Sequence, residues 1–229
     1  MLFHLAEPAA LLGIVLALLI GIYAHDAAQV VVARLLQDPG PMRSGRLTAS
    51  VKHHVSPFSA VAMIIAGVGW SEPIAMNDLR RGRRFHVAAA LLAGPLAYLL
   101  LTFGALVGFT FVPQSLVVIE GSRIVELAGV GDFLGKLVLW LAVTFASLFI
   151  VSLIPVPPAD GGRVLFGLGP QSPSWHRAEY QLRENNVGIL ILLALILLPT
   201  LFPGFPSVVD QLVLPLLDGL GGIINLRLR

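Results

Sequence analysis

The chain has 229 residues, 56% of them hydrophobic and 12% charged, with a net charge of +2. A soluble domain carries about 25% charged residues, and a water-soluble fold of this size has no means of covering so much apolar surface, so the bilayer must be the solvent for much of the chain. The absence of cysteine excludes disulfides, a thiol nucleophile and a cysteine metal site, and the arginines gather in short loops, which points to membrane orientation rather than nucleic-acid binding.

The first apolar stretch covers residues 8–36, with Pro8 at a helix start. As a helix it is about 43 Å long, more than a hydrocarbon core of about 30 Å, so it tilts or projects. No basic region precedes it and no small-residue cleavage site follows, so it reads as a retained helix rather than a signal peptide. Its second half carries His25, Asp26, Gln29 and Arg34. A loop with Asp38-Pro39-Gly40-Pro41, Arg43, Arg46 and Lys52 follows. Residues 55–70 are apolar but short, and a second basic group comes next, with Arg80, Arg81, Arg83 and Arg84. A crossing here would leave one basic group on the wrong side; the segment is therefore expected to be re-entrant, or a short hairpin packed against protein.

Residues 85–112 predict a long helix broken near Gly94-Pro95. The loop 113–133 is net negative, with Glu120, Arg123, Glu126 and Asp132. A helix over 134–154 ends at Pro155-Val156-Pro157-Pro158. Residues 159–186 read as a polar loop and 187–203 as a further helix. The tail 207–226 is apolar but broken by Pro215 and Gly219, a weak final span or an interfacial helix, and the chain ends in Arg227 and Arg229. The expected fold is an all-α polytopic bundle of about five to six membrane segments. It forms a single membrane domain over 1–229, with a core about 8–203 and an apolar tail 207–229. One orientation suits every loop: the N-terminus and 113–133 outside, and 37–54, 71–84, 155–186 and the C-terminus in the cytoplasm.

Two segments carry chemistry. In His25-Asp26-Ala27-Ala28-Gln29, His25 and Gln29 are four apart and share a helix face. His25 lies about 16 Å from the cytoplasmic end of its helix, and ionisable groups at such depth are functional hypotheses by default. The same residues also serve as a pair buried for packing or helix–helix hydrogen bonding. The second segment is Ser152-Leu153-Ile154-Pro155-Val156-Pro157-Pro158-Ala159-Asp160-Gly161-Gly162. Its prolines stiffen a turn, and its glycines permit backbone angles that other residues resist. That suits Asp160 as a held carboxylate ligand, but it also suits an ordinary cytoplasmic turn.

Taken in order, these motifs resemble those of the site-2 proteases, intramembrane zinc metalloproteases, in their short bacterial form without a PDZ domain. The family pattern is H-E-x-x-H on a membrane helix and, later, N-x-x-P-x-x-P-x-D-G. Arg34-Leu35 with Asp38-Pro39, then Gly45-Arg46-Leu47-Thr48, resemble the stretch after the first motif. His54-Val55-Ser56-Pro57 resembles an H-I-D-P element, and Gly69-Trp70-Ser71-Glu72-Pro73-Ile74 with Asn77 resembles G-W-A-K-P-V with its later Asn. Ala93-Gly94-Pro95-Leu96-Ala97 is similar to an A-G-P-L-A helix. The resemblance puts His25 and Asp160 at zinc-ligand positions. It puts Gln29 where the second histidine belongs, Asp26 where the glutamate base belongs, and Ser152 where the second motif has asparagine.

The chemistry of those departures is unfavourable. A catalytic zinc takes three protein ligands and one open position, and a neutral amide on Gln29 suits zinc poorly. His53 or His54 is available as a third ligand, although nothing in the spacing demands it. The Asp26 carboxylate falls roughly 1 Å short of a glutamate's, a misplacement that can cost about 10²-fold in rate. Proteolysis is therefore in doubt, and zinc is expected only if activity survives. The resemblance leaves two readings. One is a non-catalytic binder, assembly factor or regulator of another membrane protein, holding a partner helix or extended segment. The other is a divergent protease that cleaves transmembrane segments, with Asp26 activating the metal-bound water. A transporter fits less well, because no repeat pair is evident and intramembrane charges are few. The resemblance implies the bacterial plasma membrane, with the site toward its cytoplasmic side.

Among the remaining residues, His54, Trp70 and Ser152 are candidates for a supporting shell or a substrate groove. Trp70 and Glu72-Pro73 are expected to hold an extended strand near the site, where the resemblance implies that substrate aligns by strand addition; alternatively, Trp70 is an interface tryptophan. The arginines at 80, 81, 83 and 84 read chiefly as a topology signal, with anionic lipid or an acidic partner as the alternative. His86 is expected to be interfacial and His176 to lie in a surface loop. Gly94-Pro95 is expected to allow close helix packing and a kink.

Overall fold

A computed structural model describes residues 6–48, 53–76, 84–112, 133–202 and 204–224. The expected loop 113–133, apart from Phe133, lies outside these residues, as do Lys52, Asn77, Arg80, Arg81, Arg83, Arg227 and Arg229. The described part is helical: α1 (Pro8–Leu35), α2 (Gly40–Arg43), α3 (Pro57–Ala66), α4 (Arg84–Thr110), α5 (Phe133–Leu153), α6 (Asp160–Leu168), α7 (Pro173–Arg183), α8 (Val187–Leu201) and α9 (Val208–Ile223).

The centre is a bundle of α1, α4 and α5, each packed on the other two. The buried stripe of α1 includes Ala10, Gly13, Ala17, Gly21, His25 and Gln29, at helical spacing. Small residues at this spacing let backbones approach closely where water supplies no drive for association. A Cβ on Gly13 would lie 2.8 Å from the Leu137 carbonyl oxygen, and one on Gly21 3.1–3.2 Å from Tyr98, Phe145 and Leu148. The polar residues thus continue the stripe that holds the bundle together. The opposite faces carry exposed Leu19, Val31, Leu96 and Leu100, as lipid-facing surfaces require.

Three of the described helices, α1, α4 and α5, are long and apolar enough to cross a bilayer; a fourth span exists if α7 and α8, bent by 61°, count as one. Among the described residues the count is therefore three or four rather than the expected five to six. The 15 residues of α8 and 16 of α9 reach only about 22–24 Å. Two further expectations change. The helix α4 continues through Pro95 without a break. The supposed polar loop 159–186 contains α6 and α7, the latter begun by a Ser172 side chain that accepts from the Trp175 N–H, with Pro173 in the first turn.

The 55–70 segment folds as a short hairpin, a helix followed by a return. Ser56 caps α3, and Gly67, at φ 81°, ends it in the left-handed region that a Cβ disfavours. The chain then returns irregularly along 68–76, where the Glu72 N–H donates to the His54 carbonyl at 2.7 Å. Ser59, fully buried, clasps the return: its hydroxyl donates to the Trp70 carbonyl at 2.6 Å and accepts from the Trp70 N–H at 2.9 Å. Ser59→Ala strands both backbone groups and is expected to cost about 2 kcal/mol, read as a lower melting temperature of the purified protein in detergent.

Candidate functional site

The helix α1 brings His25, Asp26 and Gln29 to its buried face, at 3%, 0% and 1% exposure. Opposite them, α6 starts at Asp160, itself buried. Asp160 is thus the first residue of a helix rather than part of a turn, and the positive helix end favours its carboxylate. The glycines behind it serve close approach rather than unusual backbone angles. Both are helical, and neither has positive φ. A Cβ on Gly161 would lie 2.5 Å from the Leu153 carbonyl carbon, and one on Gly162 would overlap Val156 and Pro157.

The cluster has two halves that share His25. On one side, His25 Nε2 and Asp160 Oδ2 are 2.6 Å apart. The Gln29 Nε2 group donates to Asp160 Oδ1 at 2.9 Å and to the Leu91 carbonyl at 3.0 Å. Arg163, one turn along α6, places Nη1 3.7 Å from Asp160 Oδ1. On the other side, Asp26 Oδ1 meets His25 Nδ1 at 3.0 Å and accepts from the Ser71 hydroxyl. Asp26 Oδ2 meets His54 Nδ1 at 2.7 Å and Arg46 Nη1 at 3.4 Å. Arg46 also donates to the carbonyls of Pro73 and His53, tying the loop after α1 to the return segment.

This arrangement decides what each group is free to do. A carboxylate offers about four lone-pair sites, and Asp26 has four partners, so none remains for a water to be activated. It grips the Nδ1 edge of His25, away from Asp160, which is the position of an orienting carboxylate. His54 is committed as well: its second nitrogen, Nε2, lies 2.8 Å from the Thr48 carbonyl. His53 is exposed. Neither histidine stands as a third ligand beside His25 and Asp160.

The donor set does not fit a catalytic zinc. Among the described residues, no group of three or more His, Cys, Asp or Glu is arranged to hold a metal. The third position belongs to Gln29, and its two acceptors, the Leu91 carbonyl and Asp160, turn the NH₂ end of the amide toward the cluster. A metal would need the oxygen end there. Gly94 makes room for this: a Cβ would lie 2.7 Å from Gln29 Nε2 and closer still to the His25 ring.

Beside the cluster lies a small cleft with room for about one water, lined by His25, Gly69, Trp70, Ser71, Tyr98 and Ser152, with Leu148 and Pro158 to Asp160 completing the wall. Trp70 is buried at 3% exposure, not placed at an interface. Ser152 also lines the cleft, but its hydroxyl bonds back to the Phe149 carbonyl of its own helix. Ser71 and Arg46 stand in the motifs quoted above without a place at the site, and neither Arg163 nor Tyr98 was singled out. The available signals were the three-residue step from Asp160 to Arg163 and the four-residue step from Gly94 to Tyr98, each of which shares a helix face.

A Bacillus subtilis (strain 168) protein named "Putative zinc metalloprotease YwhC" is 30% identical to the chain over 189 residues, covering 81% of this chain and 80% of that protein. No family model matches the chain. No solved structure matches it.

Proposed function

The chain belongs to the site-2-protease-like family of membrane proteins, and we propose that it is a non-catalytic member that binds a segment of another membrane protein and serves as its assembly factor or regulator. The observation that carries this reading is the Gln29 amide, held NH₂-inward at the third ligand position by Leu91 and Asp160. The saturated carboxylate of Asp26 supports it from the side of the base. In this reading residues 1–229 form a single domain, His25 and Asp160 keep ancestral ligand positions without a ligand's task, and His54, Trp70 and Ser152 support the groove. The protein sits in a bacterial plasma membrane with its N-terminus outside and the cluster toward the cytoplasm, as the basic residues Arg34, Arg43 and Arg46 beyond the buried part of α1 favour.

Elemental analysis of the purified protein tests this. The parent is expected to hold far less than one zinc per chain, and Gln29→His, which supplies a second imidazole and so a third ligand, is expected to raise zinc uptake. Near one zinc per parent chain, lost in His25→Ala and Asp160→Ala, together with cleavage of a transmembrane peptide, would establish the second reading. In that reading the chain is a divergent zinc protease, which the name of the Bacillus relative favours.

A further inference from the structure

The Gly94-Pro95 pair inside α4 is not explained by the packing of the bundle alone. In an α-helix the N–H of each residue donates to the carbonyl four positions earlier. Proline has no N–H, so Pro95 withholds the donor that the Leu91 carbonyl would meet in its own helix. Yet α4 runs through Pro95 unbroken, and Leu91 and Pro95 are both buried. A carbonyl freed in this way is costly at membrane depth unless a neighbouring group takes it up.

The group that takes it up is Gln29 of α1, whose Nε2 donates to the Leu91 oxygen at 3.0 Å. The same nitrogen donates to Asp160 Oδ1 at 2.9 Å. An amide NH₂ has two hydrogens, so one is committed to α4 and the other to α6. A single bond to Asp160 would let the amide swing about it. The second acceptor, on a different helix, fixes the amide plane and turns its oxygen away from the cluster. Gly94 completes the seat, since a Cβ there would lie 2.7 Å from Gln29 Nε2. Any other residue at position 95 would supply an N–H that draws the Leu91 carbonyl back along its own helix, away from α1.

We infer that Pro95 is a positioning residue of this site: by leaving the Leu91 carbonyl without a helical donor, it aims that oxygen at α1 and fixes the Gln29 amide against Asp160. The inference rests on the reading of Gln29 as a group that does not serve a metal, and deepens it by naming what holds the amide oxygen away. Its test reads a hydrogen bond rather than zinc, so either can fail without the other.

The test compares the full-length parent, Gln29→Leu, Pro95→Ala and the double variant in detergent. Gln29→Leu is expected to lower the melting temperature by several degrees in the parent, because the Leu91 carbonyl loses its donor. Beside Pro95→Ala the fall is expected to be clearly smaller, because residue 95 then supplies one; the bond to Asp160 is lost in both backgrounds and cancels. A second readout follows the amide itself by nuclear magnetic resonance. The chain has six glutamines, and with isotope-labelled glutamine the side-chain signal absent from Gln29→Leu is that of Gln29. In Pro95→Ala its hydrogen-bonded proton is expected to move upfield, a change that a proline serving only to pack α4 would not cause. Equal losses in the two backgrounds, or an unmoved Gln29 signal in Pro95→Ala, overturn the inference and leave the zinc measurement to judge the binder reading. Should Pro95→Ala not fold, Pro95→Ser supplies the same N–H and takes its place in both measurements. Failure of both to fold would assign the proline to packing and overturn the inference too.

Discussion

Asp26→Asn is expected to destabilise the protein by about 3–5 kcal/mol, the cost of removing one partner from a buried charge cluster. The side chain is fully buried and joins His25, His54, Ser71 and Arg46. Asparagine keeps the shape but replaces one accepting oxygen with an NH₂ group and removes the charge that balances Arg46. Two of the four partners then face a donor, and the partly buried Arg46 guanidinium loses its counter-ion. Asp26→Glu keeps the charge but adds a methylene to a packed site, for about 1–3 kcal/mol. Thermal unfolding in detergent ranks the variants, and a cycle with His54→Gln is expected to show a coupling of about 0.5–3 kcal/mol. A carboxylate kept for catalysis behaves in the opposite sense, because active-site groups are commonly held at a cost to stability that their removal relieves. Stabilisation by Asp26→Asn would therefore count against the role of Asp26 as a structural hub.

The hub was only partly legible in the sequence, where His54 was expected in a supporting shell but Arg46 and Ser71 were not, for a physical reason. Its members are drawn from residues 46, 54 and 71 as well as from α1, and no periodicity links a helix residue to two loops. Arg46 on its own reads only as a topology charge. The three long spans were legible because a bilayer demands about 20 consecutive apolar residues, a local signal: the expected 8–36, 85–112 and 134–154 appear as Pro8–Leu35, Arg84–Thr110 and Phe133–Leu153. At α8 and α9 hydropathy found the helices but not whether they cross: α8 reaches span length only together with α7, and a short apolar helix has the same composition as part of a span. The meeting of His25 with Asp160, 135 positions apart, was expected from the order of motifs and not from any pattern around either residue. The region after Pro158 was misread because Gly161-Gly162 looks like a turn. Only the fold shows that these glycines admit the backbone of residues 153–157 against the first turn of α6.

The same packing sets the second large effect, in which one substitution is expected to act with opposite signs at two positions. At Gly188, in the first turn of α8, a Cβ would overlap the carbonyl oxygen of Pro157 and lie 2.9 Å from that of Leu182. Both obstacles are backbone, and Pro157 sits in a run with Pro155 and Pro158 whose φ angles are locked. Neither can rotate aside as a side chain would. Gly188→Ala is therefore expected to cost at least the 1–3 kcal/mol typical of overpacking. Any relief must come from moving Pro157, which lies three residues before Asp160, so the strain passes into the cluster. At Gly219, exposed in α9 with nothing within 4 Å of a built Cβ, Gly219→Ala meets no atom. It gains helix propensity of up to about 1 kcal/mol. Melting temperatures are expected to fall by several degrees in Gly188→Ala and to hold or rise in Gly219→Ala. A further Asp26→Asn change should then separate the sites: additive in the Gly219→Ala background and non-additive in Gly188→Ala, because only the latter displaces the segment that carries Asp160 toward His25.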